Sequence, residues 1–328
     1  MTQHSKRFVI FAVAACMLMG FAAIAVAADY PNKPITMYVV FSPGGSMDSS
    51  ARGLSAGAEQ ILGQPIVIVT KDGGGGTVGL GVLSNDTPDG YTIAAATSTG
   101  ILRIPLRRKV PYKPLASFTP LFAYAAVASA TVVNPDSPFK SMKDLVEYAK
   151  KNPGKIKYGT AGAGSPMHLV MEVIAMKENI KWIHIPFKGS ALAETALLGG
   201  HVDFVSTGDM DKAITGQLRP LCVQTKERMD LLPDVPTTLE LGYDYYNDTL
   251  FAVYGPAGMD PQIVKTLEDA FEKAVDMPAY QKVAKQFGLV PVKMKSAEYR
   301  KFLEDSWPQQ VDILTKLKLI EKPATEPR

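Results

Sequence analysis

The sequence predicts an α/β protein of two lobes, each a mixed or parallel sheet flanked by helices. Three observations carry this. Strand-like apolar runs alternate with helical patterns along nearly the whole chain. The alternation restarts after "TVVN" (Thr131 to Asn134). About 300 residues beyond the leader exceed one comfortable core and fit two domains.

The elements follow in order. Lys6 and Arg7 precede an almost wholly apolar run, Phe8 to Ala25, and the small residues of "AVAAD" offer cleavage after Ala27 or Ala28. Residues 1–27 therefore read as a cleaved secretory signal. Val13-Ala14-Ala15-Cys16 resembles a lipobox, but the apolar run continues past Cys16, so a lipoprotein form is the weaker reading. "ITMYVVF" (Ile35 to Phe41) is a strand, followed by a glycine turn and a helix carrying Ala51, Leu54, Ala58 and Leu62 at helical spacing. "PIVIVT" is a second strand, and the turn Pro88-Asp89-Gly90 leads into a third. In the second half Ser141 and Asp144 form a capping-box start for a helix over Met142 to Lys151. "IKYGT", "WIHIPF", "HVDFVST", "LRPLCVQT" and "TLFAVYGP" read as strands, with helices over Pro166 to Lys177 and Ala191 to Leu198. Asp260-Pro261 caps a helix through Val275, and Ser296 opens the last one.

Composition excludes several functions. The whole chain has 35 Lys and Arg against 32 Asp and Glu, and loss of the leader removes two basic residues and no acids. A charge so near balance gives no basic surface for nucleic acid, since "RIPLRRK" reads as a solvated loop. Cys222 is alone once Cys16 leaves, so it forms no internal disulfide, and its apolar setting "LCVQT" makes it a buried small hydrophobe. His168, His184 and His201 lack metal-ligand spacing, and no G-x-S-x-G elbow occurs, so neither a metal site nor a catalytic residue is predicted. "GGGTVG" matches a dinucleotide fingerprint, but six of the nine residues from Gly73 to Gly81 are glycine, and no acid follows at the ribose distance. No cofactor is expected.

Two segments carry the functional signal. "VVFSPGGSMDSSARGLS" (Val39 to Ser55) and "YGTAGAGSPMHLVMEVIAM" (Tyr158 to Met176) both run strand, glycine loop, helix start. A helix start offers free N–H groups and the positive end of the macrodipole, and glycine lets a ligand reach them. One such start in each lobe predicts an anionic ligand gripped from both sides of a cleft. Tyr124, Tyr158 and Phe187 suit either an apolar wall of that cleft or the core.

These segments also resemble the receptors of tripartite tricarboxylate transporters, the Bug or TctC family. "YPNKPITMYVVFSPGGSMDSSAR", "LGQPIVIVTKDGGGGTVG", "PDGYTI", "KNPGKIKYGTAGAGSPMHL", "IPFKGSALAETALLGGHVDF", "LPDVPTTLELGY" and "YGPAGMD" carry the likeness in unbroken order. The resemblance implies a type II-like periplasmic binding protein, with lobe 1 over residues 29–130 plus 251–328 and lobe 2 over 131–250. It implies a monomeric, non-enzymatic receptor that closes over a small organic carboxylate, a dicarboxylate above all, and delivers it to a permease of large and small integral subunits. A sensory protein presenting the same complex to a membrane signalling partner is the alternative. Carried over by motif, the ligand residues are Ser42, Pro43, Gly44, Gly45, Ser46, Met47 and Asp48 in the first loop. Thr97, Ser98 and Thr99 follow from "ATSTG". Ala161, Gly162, Ala163, Gly164, Ser165 and His168 form the second loop, and Lys188 joins them from the Lys-Gly pair. Thr207 stands where the family often has an acid facing the cleft, which predicts poor recognition of α-amino acids, and Asp209 could replace that acid by a two-residue shift.

Overall fold

A computed structural model of the chain describes residues 30–316 and 319–320. The leader and both proposed cleavage points lie outside the described residues. Everything below concerns the compact body that begins at Lys33.

Eleven strands form two sheets among the described residues. They are β1 (Ile35–Val39), β2 (Ile66–Thr70), β3 (Thr92–Thr97), β4 (Phe118–Ala126), β5 (Ala130–Val133), β6 (Lys157–Thr160), β7 (Ile183–Pro186), β8 (Phe204–Thr207), β9 (Arg219–Val223), β10 (Leu250–Pro256) and β11 (Val290–Lys295). The first sheet has the order β11-β4-β10-β3-β1-β2, and the second β7-β6-β8-β5-β9. Both are mixed. In the first, β1 lies parallel to β2 and β3 while β10 runs antiparallel to β3 and β4. In the second, β6 is parallel to β7 and β8, and β5 is antiparallel to β8 and β9. The chain passes from the first sheet to the second between β4 and β5 and returns between β9 and β10.

Helix boundaries follow the caps. Ser141 and Asp144 complete the capping box of Met142–Lys151, while Ser165 caps Pro166–Glu178 through the His168 N–H. Asp260 caps Pro261–Ala274, and Ser296–Lys316 closes the described fold. The helix Ser46–Leu62 has Gly45 at its N-cap position and therefore no side-chain cap of its own.

The core is aromatic. Tyr124 and Tyr158 are fully buried. Tyr124 packs at ring distances of 6.1 Å from Phe251 and 5.9 Å from Tyr280, and Tyr158 stacks on Phe204 at 5.2 Å. Both are core residues, and Phe187 is half-buried against apolar residues of the second sheet and its helices. Cys222 on β9 is fully buried, and burial pushes its thiol up to about 11.

Candidate ligand-binding site

A cavity lies where loops from the two sheets meet. Its lining residues follow the ends of parallel strands: Phe41 and Ser42 after β1, Thr97 on β3, Ala161 after β6, Gly189 after β7, and Gly208 and Asp209 after β8. This is the end of an α/β sheet where ligands gather, because helix starts converge there. Ser46 and Met47 open Ser46–Leu62, Pro166 and Met167 open Pro166–Glu178, and Ser190 opens Ser190–Leu198.

The lining is apolar with hydroxyls set into it. Met47, Val127, Met167 and Phe251 supply the apolar surface. Thr97, Thr99, Ser165, Ser190 and Thr249 supply hydroxyls, most of which also bond the fold. Thr99 Oγ1 and Thr249 Oγ1 are 3.1 Å apart, and Ser190 Oγ accepts from Gly208 N–H at 3.1 Å. Ser42 differs. The residue is only 4% exposed, and its buried hydroxyl finds no hydrogen-bond partner among the described residues. A buried hydroxyl of this kind costs free energy unless something else binds it.

Among the described residues Asp209 is the only charged side chain in the lining. Its Oδ1 accepts from Ser46 N–H at 2.8 Å, supplying from the second sheet's loop the cap that Gly45 cannot. Gly45 permits this approach, since a Cβ there would stand 2.9 Å from Asp209 Oδ2. Ser46 Oγ donates to Gly208 O at 3.4 Å, and Ser42 N–H donates to Lys188 O at 3.3 Å, so the loop 42–46 is tied across the cleft. Behind Asp209, Thr207 Oγ1 donates to Glu194 Oε1 at 2.6 Å and accepts from Asp209 N–H at 3.0 Å. Lys212 Nζ lies 2.8 Å from Glu194 Oε2. Burial and the charge of Asp209 nevertheless push Glu194 up to about 7, and burial raises Asp209 as well.

The expected residues divide. Ser42, Gly45, Ser46, Met47, Thr97, Thr99, Ala161, Ser165 and Asp209 line the cavity. The others do not. Pro43, Gly44 and Ala163 are exposed on their turns, and Gly162 lies against Gly75. Asp48 turns back to accept from Gly44 N–H at 3.1 Å and pairs with Arg52 at 2.9 Å. Ser98 Oγ accepts from Leu250 N–H, and Lys188 is exposed, 3.5 Å from Asp72. Thr207 is fully buried behind Asp209, and it is Asp209 that lines the cavity. His168 stacks on His184 at 4.1 Å between ring centres. Its Nδ1 accepts from Gly164 N–H at 3.2 Å and from Arg107 Nη1 at 3.1 Å, so the neutral ring carries its proton on Nε2. Burial, with His184 and Arg107, pushes His168 down to about 3 and holds it in that form.

This geometry corrects the expected mechanism. The two glycine loops were expected to present free N–H groups, yet side chains already take several of them. Gly44 donates to Asp48, Ser46 to Asp209, Gly162 to Thr160, Gly164 to His168, and His168 N–H to Ser165. For four of these the acceptor is local, within four residues of the donor, whereas Ser46 finds Asp209 across the cleft. The Ser42 hydroxyl, by contrast, has no partner among the described residues. Sequence reasoning missed Ser190, Asn247 and Thr249. Ser190 could have been found, because "FKGSALAE" repeats the glycine–serine helix start a third time. Asn247 and Thr249 reach the cavity from the crossing before β10, which no local pattern reveals.

Residues 50–319 match the model of the tripartite tricarboxylate transporter family receptor, TctC. The chain belongs to this family. It is 36% identical over 312 residues to the "UPF0065 protein in gbd 5'region" of Cupriavidus necator, covering 94% of both chains. It is 33% identical to the Bordetella pertussis protein BugT over 87% of this chain and 90% of that one. Among solved structures, the periplasmic binding protein BugD superposes with a TM-score of 0.83 at 29% identity, covering 89% of this chain and 100% of that one. An R. palustris protein solved with adipate gives 0.82 at 26% identity over 88% and 99%. TctC proteins and their Bug neighbours are solute-binding receptors rather than enzymes, and the α/β two-lobed fold described above is theirs. Among the described residues no group of acidic, His and Cys side chains could hold a metal, and no helix is long and apolar enough to cross a membrane.

Proposed function

We propose that this receptor captures a small organic carboxylate of dicarboxylate length in the periplasm, after removal of its leader, and hands it to the integral membrane subunits of a tripartite transporter. The observation that carries this is the buried Ser42 hydroxyl, without a partner among the described residues, at the junction of three helix starts. A carboxylate supplies the acceptor that hydroxyl lacks, and the helix dipoles favour its charge. The adipate-bound relative supports the ligand class. Hydrogen bonds to a charged group are worth roughly 1.5–3 kcal/mol each, so a few of them reach the roughly −8 kcal/mol of micromolar binding. The lobes proposed for this monomer are residues 29–130 with 251–328, and 131–250, closing over the ligand about the two crossings between the sheets.

A thermal-shift panel of succinate, malate, adipate, citrate and terephthalate tests the reading. A ligand at about a hundredfold its dissociation constant adds about 2.7 kcal/mol and raises the melting temperature by several degrees. A panel of carboxylates without one such shift would sink the proposal. Loss of uptake on deleting the permease genes, with the receptor intact, tests the transport role.

A further inference from the structure

Asp209 brings a negative charge into a cavity proposed to bind an anion, and no Lys or Arg lines that cavity. The charged groups around it are already committed. Lys212 lies 2.8 Å from Glu194 and 3.5 Å from Asp211. On the helix that Asp209 caps, Arg52 pairs with Asp48 at 2.9 Å, and at the rim Lys188 pairs with Asp72 at 3.5 Å. Each of these three cations has an acid of its own; behind the lining Arg103 pairs with Asp248, Arg107 donates to His168 Nδ1, and Glu194 is itself fully buried. A dianion would thus set a second carboxylate beside Asp209 with nothing to balance it. Two carboxylates that share a desolvated site do not both stay ionised.

We propose that a diacid occupies this cavity in its singly charged form, its remaining carboxyl proton donated to Asp209, so that diacid capture takes up one proton from solvent while capture of the matching mono-amide takes up none. The inference rests on the carboxylate reading above. The ionised end of the solute meets the Ser42 hydroxyl, which is buried and without a partner. The other end faces Asp209 Oδ2, the oxygen beside Gly45, while Oδ1 keeps the Ser46 N–H. The proton balance is simple: the dianion and one proton from water give a carboxyl whose O–H donates to the Asp209 carboxylate. Burial, which already raises Asp209 against the lowering pull of Ser46 N–H, favours a shared proton at this position. A mono-amide of the same length brings its own N–H donor to Asp209 and needs no proton.

The test compares succinate, glutarate and adipate with their mono-amides by calorimetry between about pH 6.5 and 8, in two buffers of different ionisation enthalpy. One linked proton makes each binding diacid weaken by about tenfold per pH unit, and its heat depends on the buffer. The mono-amide shows neither effect. Asp209→Asn removes the diacid's slope, whatever its absolute affinity. A flat diacid curve, or a mono-amide that follows the diacid's slope, overturns the proposal. If Asp209→Asn fails to fold by circular dichroism, the two wild-type slopes decide alone. If neither diacids nor mono-amides bind at any pH, the carboxylate reading itself falls and takes this inference with it.

Discussion

The Ser42 hydroxyl makes no bond that the fold uses, so Ser42→Ala separates binding from folding. The variant should melt at the wild-type temperature or slightly above, because a buried partnerless oxygen is gone. Carboxylate affinity should fall by about tenfold or more, the worth of one hydrogen bond to a charged group. Calorimetry beside a melting curve checks both halves. Glu194 carries a second prediction. Its folded value of about 7 lies above the ordinary 4.5, so the native state holds its proton more tightly than the unfolded chain does. Its contribution is therefore fully present below about 4.5 and is lost as pH rises through about 7. His168 and His184, pushed down to about 3 and about 4, act in the opposite sense and cost stability as pH falls below about 6.5. The two effects oppose each other over part of the range, so the wild-type curve alone does not isolate either. The difference between wild type and Glu194→Gln does: it should shrink as pH falls from about 8 to about 5, by up to about 3 kcal/mol. Parallel urea titrations of both proteins measure it.

At the scale of elements, Ser46–Leu62 is positioned by two small residues. A Cβ on Gly53 would stand 2.9 Å from Ala279 O, and one on Gly57 would stand 2.9 Å from the Ala274 methyl. These glycines let Pro278–Phe287 and Pro261–Ala274 pack tightly against the helix whose start forms the site. Gly53→Val should cost about 1–3 kcal/mol through overpacking, with a β-branched residue in a helix adding to it. The melting temperature should drop, whereas the order of preference among carboxylates should not change. Much at this scale was legible in the sequence. Ser141, Ser165 and Asp260 announced their helices because a cap is a local hydrogen bond between residues two or three apart. β4 was not legible. "FTPLFAYAA" is buried on both faces between β10 and β11, so it has neither alternation nor helical period to read. The site was half legible for the same reason. Ser42, Ser46 and Ser165 sit on glycine-loop signals, but the acceptor of the Ser46 amide, Asp209, lies far along the chain and depends on the fold.

For the molecule as a whole, a buried polar knot joins the two sheets where the chain crosses. Gln224 N–H donates to Ser129 O and Asn247 N–H to Gln224 O, both at 2.7 Å. The Asn247 side chain donates to Val127 O at 3.2 Å and Ser129 Oγ at 3.1 Å, and accepts from Thr249 N–H at 3.0 Å. Asn247 is 6% exposed, so Asn247→Ala leaves a buried carbonyl and a buried amide without partners. A loss of about 2–4 kcal/mol should follow, read from the urea midpoint, together with weaker binding because Asn247 also lines the cavity. The return of the chain to the first sheet after β9 was expected only from family resemblance, since nothing periodic in the sequence states which strands are neighbours.

The sulfur on β9 gives the molecule a built-in clock. In protein made without residues 1–27 Cys222 is the single thiol, fully buried on β9 at one edge of the second sheet. A chromogenic disulfide reagent can reach it only when that sheet comes apart, so colour development would time such openings one molecule at a time. Run with and without a bound carboxylate, the same assay would tell how far an occupied cleft slows the unravelling of a sheet whose strands it never touches directly.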